Sequence, residues 1–225
     1  PALTSGPLVS GLQLLMDTYV ASAMAFLRNN LRELVPTVDN NLAQSMMRIL
    51  DCYFKRFFPD DEGEEPSADD VKAMENNVEA LFFFALVWSV GGSSNTDSRV
   101  VFDAWLRAEM AANGAGTKFP NDGLVYDYEY VEDKKRWMKW MDTVEHTPVN
   151  TKISFSEIIV QTMDSVRNTY LLDMLLRNNS HVLMVGDTGT GKTVNISKYL
   201  GEAPECFIPM VMSFSAQTSA HQVQD

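Results

Sequence analysis

The sequence predicts a fold in two parts, α+α/β: a helical bundle, then the opening of an α/β domain. Three observations carry this. Up to about residue 112, apolar residues recur at helical spacing in one segment after another. From Leu124 to Trp140 the pattern changes to short aromatic runs around a charged turn. From Val182 to Leu200 the sequence reads VLMVGDTGTGKTVNISKYL, which fits the phosphate-loop pattern G-x-x-x-x-G-K-[ST], with Gly186, Gly191, Lys192 and Thr193 at its defining places. These divide the chain into a helical part, 1–116, a hairpin-containing connector, 117–152, and the start of an α/β domain, 153–225.

The bundle is read in order. Leu8 to Glu33 forms a helix with Leu12, Leu15, Met16, Tyr19, Ala23, Phe26, Leu27 and Leu31 on one stripe. A second helix runs from Asp39 to Phe58, with Leu42, Met46, Ile49, Leu50, Tyr53, Phe54 and Phe57 inward. The acidic segment PDDEGEEP at 59–66 is a solvated loop. Ser67 caps a third helix, with Asp69 and Asp70 near its positive end. Its stretch LFFFALVW, Leu81 to Trp88, is apolar all round and belongs in the middle of the bundle. The run GGSSN at 91–95 ends it. Asp97 is the candidate cap of a fourth helix whose stripe is Val101, Phe102, Trp105, Leu106 and Met110. Arg99 lies in that helix's first turn, where a cation opposes the dipole, so a salt bridge is expected, with a phosphate contact as the alternative.

After Gly114 to Gly116 closes the helical part, Leu124 to Tyr128 is expected as a strand, 129–136 as a turn and Trp137 to Trp140 as the hairpin partner. Phe155 to Val160 is extended and apolar. Thr162 then caps a helix with Val166, Tyr170, Leu171, Met174 and Leu175 inward, ended by Asn178-Asn179. Val182 to Val185 is expected as a buried parallel strand, and Phe207 to Phe214 as a second strand with Pro209 at its beginning.

Composition removes several classes of function. The net charge of −12 over 225 residues argues against nucleic acid and against anionic membrane as partners. Asp17, Gln13 and Thr18 interrupt the one long apolar stretch, which is therefore not expected to span a membrane. Cys52 and Cys206 fit no metal or redox spacing, and His146, His181 and His221 are scattered. A reduced intracellular compartment is the simplest reading.

The loop has a specific chemistry. Triphosphate carries dense negative charge and needs many donors at short range. Gly186, Gly189 and Gly191 let successive backbone N–H groups of Asp187, Thr188 and Thr190 turn into one concavity. The helix that follows, through Val194, adds its positive end. Lys192 is placed to reach the β- and γ-phosphates, and the Thr193 hydroxyl to hold Mg2+. Ile159 and Val160, just upstream, are candidates to cover adenine, with plain core packing as the alternative. Asp187 is unhelpful in an anion site unless it points to water. The cofactors expected are ATP or ADP with Mg2+.

Nothing after Thr193 supplies an apolar strand ending in a Mg2+-holding acid, or a residue that orients water. The segment is therefore expected to hold no catalytic residue and to turn over no nucleotide by itself. Pro1 as the first residue suggests a piece of a longer chain.

Several stretches together resemble the heavy chain of dynein, a ring of AAA+ modules that moves along microtubules. They are FALVWSVGGSSNTDSR (84–99), FPNDGLVYDY (119–128), IVQTMDSVRNTYLL (159–172), the phosphate loop and FSAQTSAHQVQD (214–225). The order resembles the helical lid ending a second module followed by the start of a third, and the WSVGG segment resembles axonemal members. The resemblance implies a motor ATPase that bends cilia or flagella, with this loop a regulatory nucleotide site. It implies as partners the neighbouring AAA+ modules of the same chain, with other dynein chains and microtubules reached through parts beyond this sequence. It implies the cytoplasm, cytoskeleton and axoneme as location. Asp187 departs from the proline that many members carry, which bears on affinity and turnover. The alternative is a non-hydrolysing or structural module of another AAA+ ring protein.

Overall fold

The apolar run from Leu81 to Val87 decides where the core lies. The computed structural model describes residues 6–57, 67–144, 160–202, 207–215, 218–219 and 221. Four helices form the first part: α1 (Gly6–Asn30), α2 (Asp39–Phe57), α3 (Ala68–Ser89) and α4 (Thr96–Ala112). Every side chain from Leu81 to Val87 on α3 is at most 1% exposed. A helix without a polar face must be covered on all sides, and α1, α2 and the hairpin supply the cover. Tyr19 of α1 meets Phe83 edge-on at 4.9 Å, and Tyr53 of α2 meets Phe84 at 5.7 Å. By length and composition α1 could cross a membrane; here its Leu8, Leu12, Tyr19, Ala23 and Leu27 are buried in the bundle.

Local signals account for the helix ends. Ser67 and Asp70 form a reciprocal capping box at the start of α3. The cap of α4 is Asn95, whose side chain accepts the Ser98 N–H at 2.9 Å, and Asp97 sits in the first turn instead of capping it. Val101 faces outward, unlike Phe102, Leu106 and Met110. α1 stops at Asn30 because the backbone beyond it is claimed by the α3–α4 turn: Leu34 N–H donates to Ser93 O and Asn95 N–H to Arg32 O. Gly91 in that turn has no room for a side chain, since a Cβ there would lie 2.4 Å from Tyr126 Oη.

Arg99 makes neither the expected salt bridge nor an exposed anion contact among the described residues. Its guanidinium donates to the carbonyls of Ser94 and Gly92 and lies 4.9 Å from the centre of the Tyr126 ring. Aromatic faces and carbonyls replace the acid.

The two-stranded sheet is shifted from its expected place. β1 is Tyr128–Val131 and β2 is Arg136–Lys139, antiparallel, with Tyr130 opposite Trp137. Residues Val125–Asp127 form a 3-10 turn instead of strand, because side chains take the amides that a ladder needs. Asp127 accepts the Leu124 N–H at 2.8 Å and Asp103 accepts the Val125 N–H at 2.7 Å. The hairpin's aromatics join the bundle core. Tyr130 Oη donates to Asn77 at 2.8 Å, and Trp140 Nε1 donates to Tyr126 O at 2.9 Å.

Two helices follow, α5 (Met163–Arg177) and α6 (Lys192–Gly201). α5 starts at Thr162, whose hydroxyl accepts the Ser165 N–H, and it seats on the bundle through Tyr170. That ring lies 5.2 Å from Trp140 and 6.2 Å from Phe84, and its hydroxyl is 3.2 Å from that of Tyr53. Arg167, one turn earlier, stands over Trp88 at 5.6 Å and pairs with Asp164. Burial, then repulsion from Arg99, lowers its pKa.

The segments expected as strands, 182–185 and 207–214, belong to no ladder among the described residues. Leu183 is 83% exposed, Ile208 95% and Phe214 63%. A central strand needs neighbours for its amides and carbonyls, and the described residues supply none. The expected acidic loop at 59–66 and the apolar segment at 155–159 lie outside the described residues.

Glu33 ties three of these elements together. Its carboxylate accepts from the Ser93 hydroxyl at 2.9 Å, from Arg28 at 2.6 Å and from Thr37. Burial pushes its pKa up, but the bonds from Thr37 and Ser93 and the charge of Arg28 outweigh this and hold it below the ordinary carboxylate value. A lowered pKa in the folded state means stability that is complete above the ordinary value and lost as pH falls through the folded value. The Glu33→Gln variant is therefore expected to unfold more easily at neutral pH and to lose less stability on acidification, read from unfolding midpoints at a series of pH values.

Candidate functional site

α5 hands the chain to the loop in a fixed direction. Asn178 caps its end, Asn179 turns in the left-handed region at φ 54°, and Ser180 N–H closes back on Leu175 O at 2.9 Å. Residues 182–185 follow, with Val182 and Met184 half-buried and Leu183 and Val185 exposed. The loop from Gly186 to Thr193 then bends at two glycines. Gly189 has φ +85° and Gly191 has φ +77°, where a side chain is strained although space is open. Gly186 is not in that region, so its backbone conformation does not itself demand glycine.

Gly191 is also the N-cap of α6, and no side chain caps the helix. Its first amides are therefore left for something else. Thr188 and Gly189 form a turn, and among the described residues no hydrogen bond is donated by the backbone N–H groups from Gly191 to Val194. The Lys192 ammonium folds back over this row, donating to Gly186 O at 2.8 Å, Asp187 O at 2.6 Å and Thr190 Oγ1 at 3.2 Å. Thr190 Oγ1 in turn donates to Asp187 O at 2.9 Å. Asp187, Thr188 and Thr193 are exposed, as is Val194. Asp187 thus keeps its solvation and does not bring a buried charge to the loop.

The structure describes Gly186 to Val194 as one continuous loop running into the first turn of α6. Val160, ahead of α5, is 71% exposed, and Ile159 lies outside the described residues. No group of three or more His, Cys, Asp or Glu side chains among the described residues is arranged for a metal. A Mg2+ ion here fits only as a partner of phosphate oxygens, with the exposed Thr193 hydroxyl as its protein ligand.

A cleft of about 420 Å3 lies not at the loop but along the flank of α6, between α5, α6 and the end of β2. Glu129, Trp140, Asp173, Asn195, Lys198 and Tyr199 line it. At its base Tyr199 Oη donates to Asp173 Oδ1 at 3.1 Å, and Arg177 Nε donates to both Asp173 oxygens at 2.8 Å. The sequence placed Tyr170 on an apolar stripe only. No pattern identifies Asp173 as the partner of a tyrosine 26 residues away.

A glycine-bent loop opening a helix, carried on a helical bundle, defines the class: a helical AAA lid followed by the start of a P-loop AAA domain. The comparisons agree. Residues 12–142 match the model of the dynein heavy chain AAA lid domain, and residues 147–225 match that of the P-loop containing dynein motor region. The chain belongs to the dynein heavy chain family. It is 37% identical to dynein axonemal heavy chain 1 of Mus musculus over 94% of its length and 34% identical to the Homo sapiens protein of that name over 94%. Over 65% of its length it is 38% identical to dynein axonemal heavy chain 12 of Homo sapiens. The chain spans about 5% of the length of each of these relatives.

The positive φ at Gly191 makes a prediction. A non-glycine residue in this region costs about 1–2 kcal/mol, a factor of about 5 to 30. Gly191→Val is expected to weaken nucleotide binding at the loop by at least that factor, and Gly191→Asn, which tolerates the region, by less. Titration of nucleotide against both variants in the full heavy chain measures the order.

Proposed function

We propose that this segment joins two AAA+ units of a dynein motor and carries the nucleotide site of the second. Residues 1–116 form the lid of the preceding unit, 117–152 the connector and 153–225 the start of the next unit. By the resemblance these are the second and third modules. Gly186, Asp187, Thr188, Gly189, Thr190 and Gly191 cradle the phosphates of ATP or ADP through backbone N–H groups. Lys192 leaves its loop carbonyls for the β- and γ-phosphates, and Thr193 holds Mg2+. Val194 lies in the first turn beneath the site, and Ile159 and Val160 sit beside adenine.

One observation supports this most directly: the helix-start backbone donors, Gly191 to Val194, with no acceptor of their own among the described residues, beside a lysine ammonium. Orphaned helix-start amides and a positive dipole end favour an anion. Mg2+ supplies neutralisation of phosphate charge, and the chain's own residues do the rest by binding and orientation. The site is regulatory: it holds nucleotide while the whole motor hydrolyses ATP elsewhere. The likeness to dynein axonemal heavy chains supports an axonemal motor; by the family resemblance it works in cilia or flagella, part of the cytoskeleton, with microtubules as its track.

Photoaffinity labelling of the full heavy chain with an azido-ATP, mapped to peptides of 159–200, tests the reading. Wild type is expected to be labelled and Lys192→Ala to require about 100-fold more nucleotide, the size of one or two lost charge-assisted hydrogen bonds. Equal labelling of the two proteins, or none of the wild type, removes the site from the account.

A further inference from the structure

Both arms of the phosphate loop are fixed to the same helix. The arm leading in leaves α5 through the capped turn at Asn178 to Ser180, where Asn178 Nδ2 donates to Met174 O at 2.8 Å. The arm leading out is α6, held to α5 by the Tyr199–Asp173 bond at 3.1 Å. Tyr199 is 7% exposed, so the bond sits at the packed face of α6, in the flank cleft. Asp173 is held in turn by Arg177, so the acceptor is oriented before Tyr199 reaches it. α5 is seated on the bundle by Tyr170 and Arg167, at Trp140, Phe84, Tyr53 and Trp88.

We propose that Asp173 and Tyr199 are positioning residues that latch the phosphate-loop helix to α5 and thereby pass occupancy of the loop to the lid of the preceding unit. Neither touches the loop. A phosphate drawing on the amides of Gly191 to Val194 pulls on the first turn of α6, and a helix moves as a rod. The latch obliges α5 to follow, and α5 bears directly on Trp88 of the lid and on Trp140 of the connector packed against it. Without the hydroxyl of Tyr199, α6 keeps its apolar packing but slides on α5, and the loop responds alone. The inference rests on the proposed nucleotide site.

Hydrogen exchange of the full-length heavy chain, with and without ATP and Mg2+, separates the two readings by peptide. In wild type, nucleotide is expected to slow exchange in 186–200 and also in 163–177 and 136–144. Tyr199→Phe, which keeps the ring and removes the donor, is expected to keep protection of 186–200 at a nucleotide concentration about three- to tenfold higher. It is expected to lose protection of 163–177 and 136–144. Asp173→Asn keeps an acceptor oxygen and is expected to restore most of the transfer that Asp173→Ala loses. A merely structural role would slow or quicken exchange in all three peptides with or without nucleotide. Loop protection in wild type without transfer, or transfer undiminished in Tyr199→Phe, overturns the latch and leaves the nucleotide site standing. No protection of the loop in wild type overturns both.

Discussion

Tyr170 stands where the two parts of the chain meet, and the geometry of the loop depends on its seat. A polyphosphate is held by several weak donors at once, so the two arms of the loop must keep a fixed spacing. Those arms are a short segment and a ten-residue helix, neither of which buries enough apolar surface to hold itself. α5 holds both, and α5 in turn is held by a ring packed between Trp140 and Phe84 with its hydroxyl against that of Tyr53. The rigidity of the bundle core, organised around the fully covered stretch Leu81 to Val87, is thereby lent to a loop with little core of its own.

The charge of the chain bears on the same loop. A net −12 repels a polyanion at a distance. At physiological salt that field is screened within about 8 Å, so the contest is decided by the nearest groups. These are Lys192, the dipole end of α6 and the amides from Asp187 to Val194, against one exposed acid, Asp187. Exposure keeps Asp187 in high dielectric, where its opposition is weak.

Much of this was legible in the sequence because the signals were local. The four bundle helices, the Ser67 and Thr162 caps, the buried stretch after Ala80 and the loop itself follow from periodicity, capping chemistry and glycine placement. What was not legible depends on contacts distant in sequence. Asp103 takes the amide of Val125 and converts an expected strand into a 3-10 turn, and nothing near residue 125 announces it. Arg99 finds aromatic faces instead of an acid, because Tyr126 is brought beside it by the fold. Asn95 caps α4 in place of the expected Asp97, because the position of the turn, set by contacts to the backbone just beyond α1, fixes where the helix starts. The apolar segments 182–185 and 207–214 carry strand composition without strand partners among the described residues, since composition reports what a segment can pair with and not whether the partner is at hand.

The central claim is that the bent loop holds polyphosphate through backbone amides, with Lys192 and Thr193 as its side-chain contacts. The most direct measurement is an experimental density map of the full motor prepared with saturating ATP analogue and Mg2+. The account predicts phosphate density within hydrogen-bond distance of the amides between Asp187 and Val194, the Lys192 ammonium moved from the Gly186 and Asp187 carbonyls to that density, and a Mg2+ peak at the Thr193 hydroxyl. A loop without such density, with Lys192 still donating to Gly186 O and Asp187 O under those conditions, would contradict it.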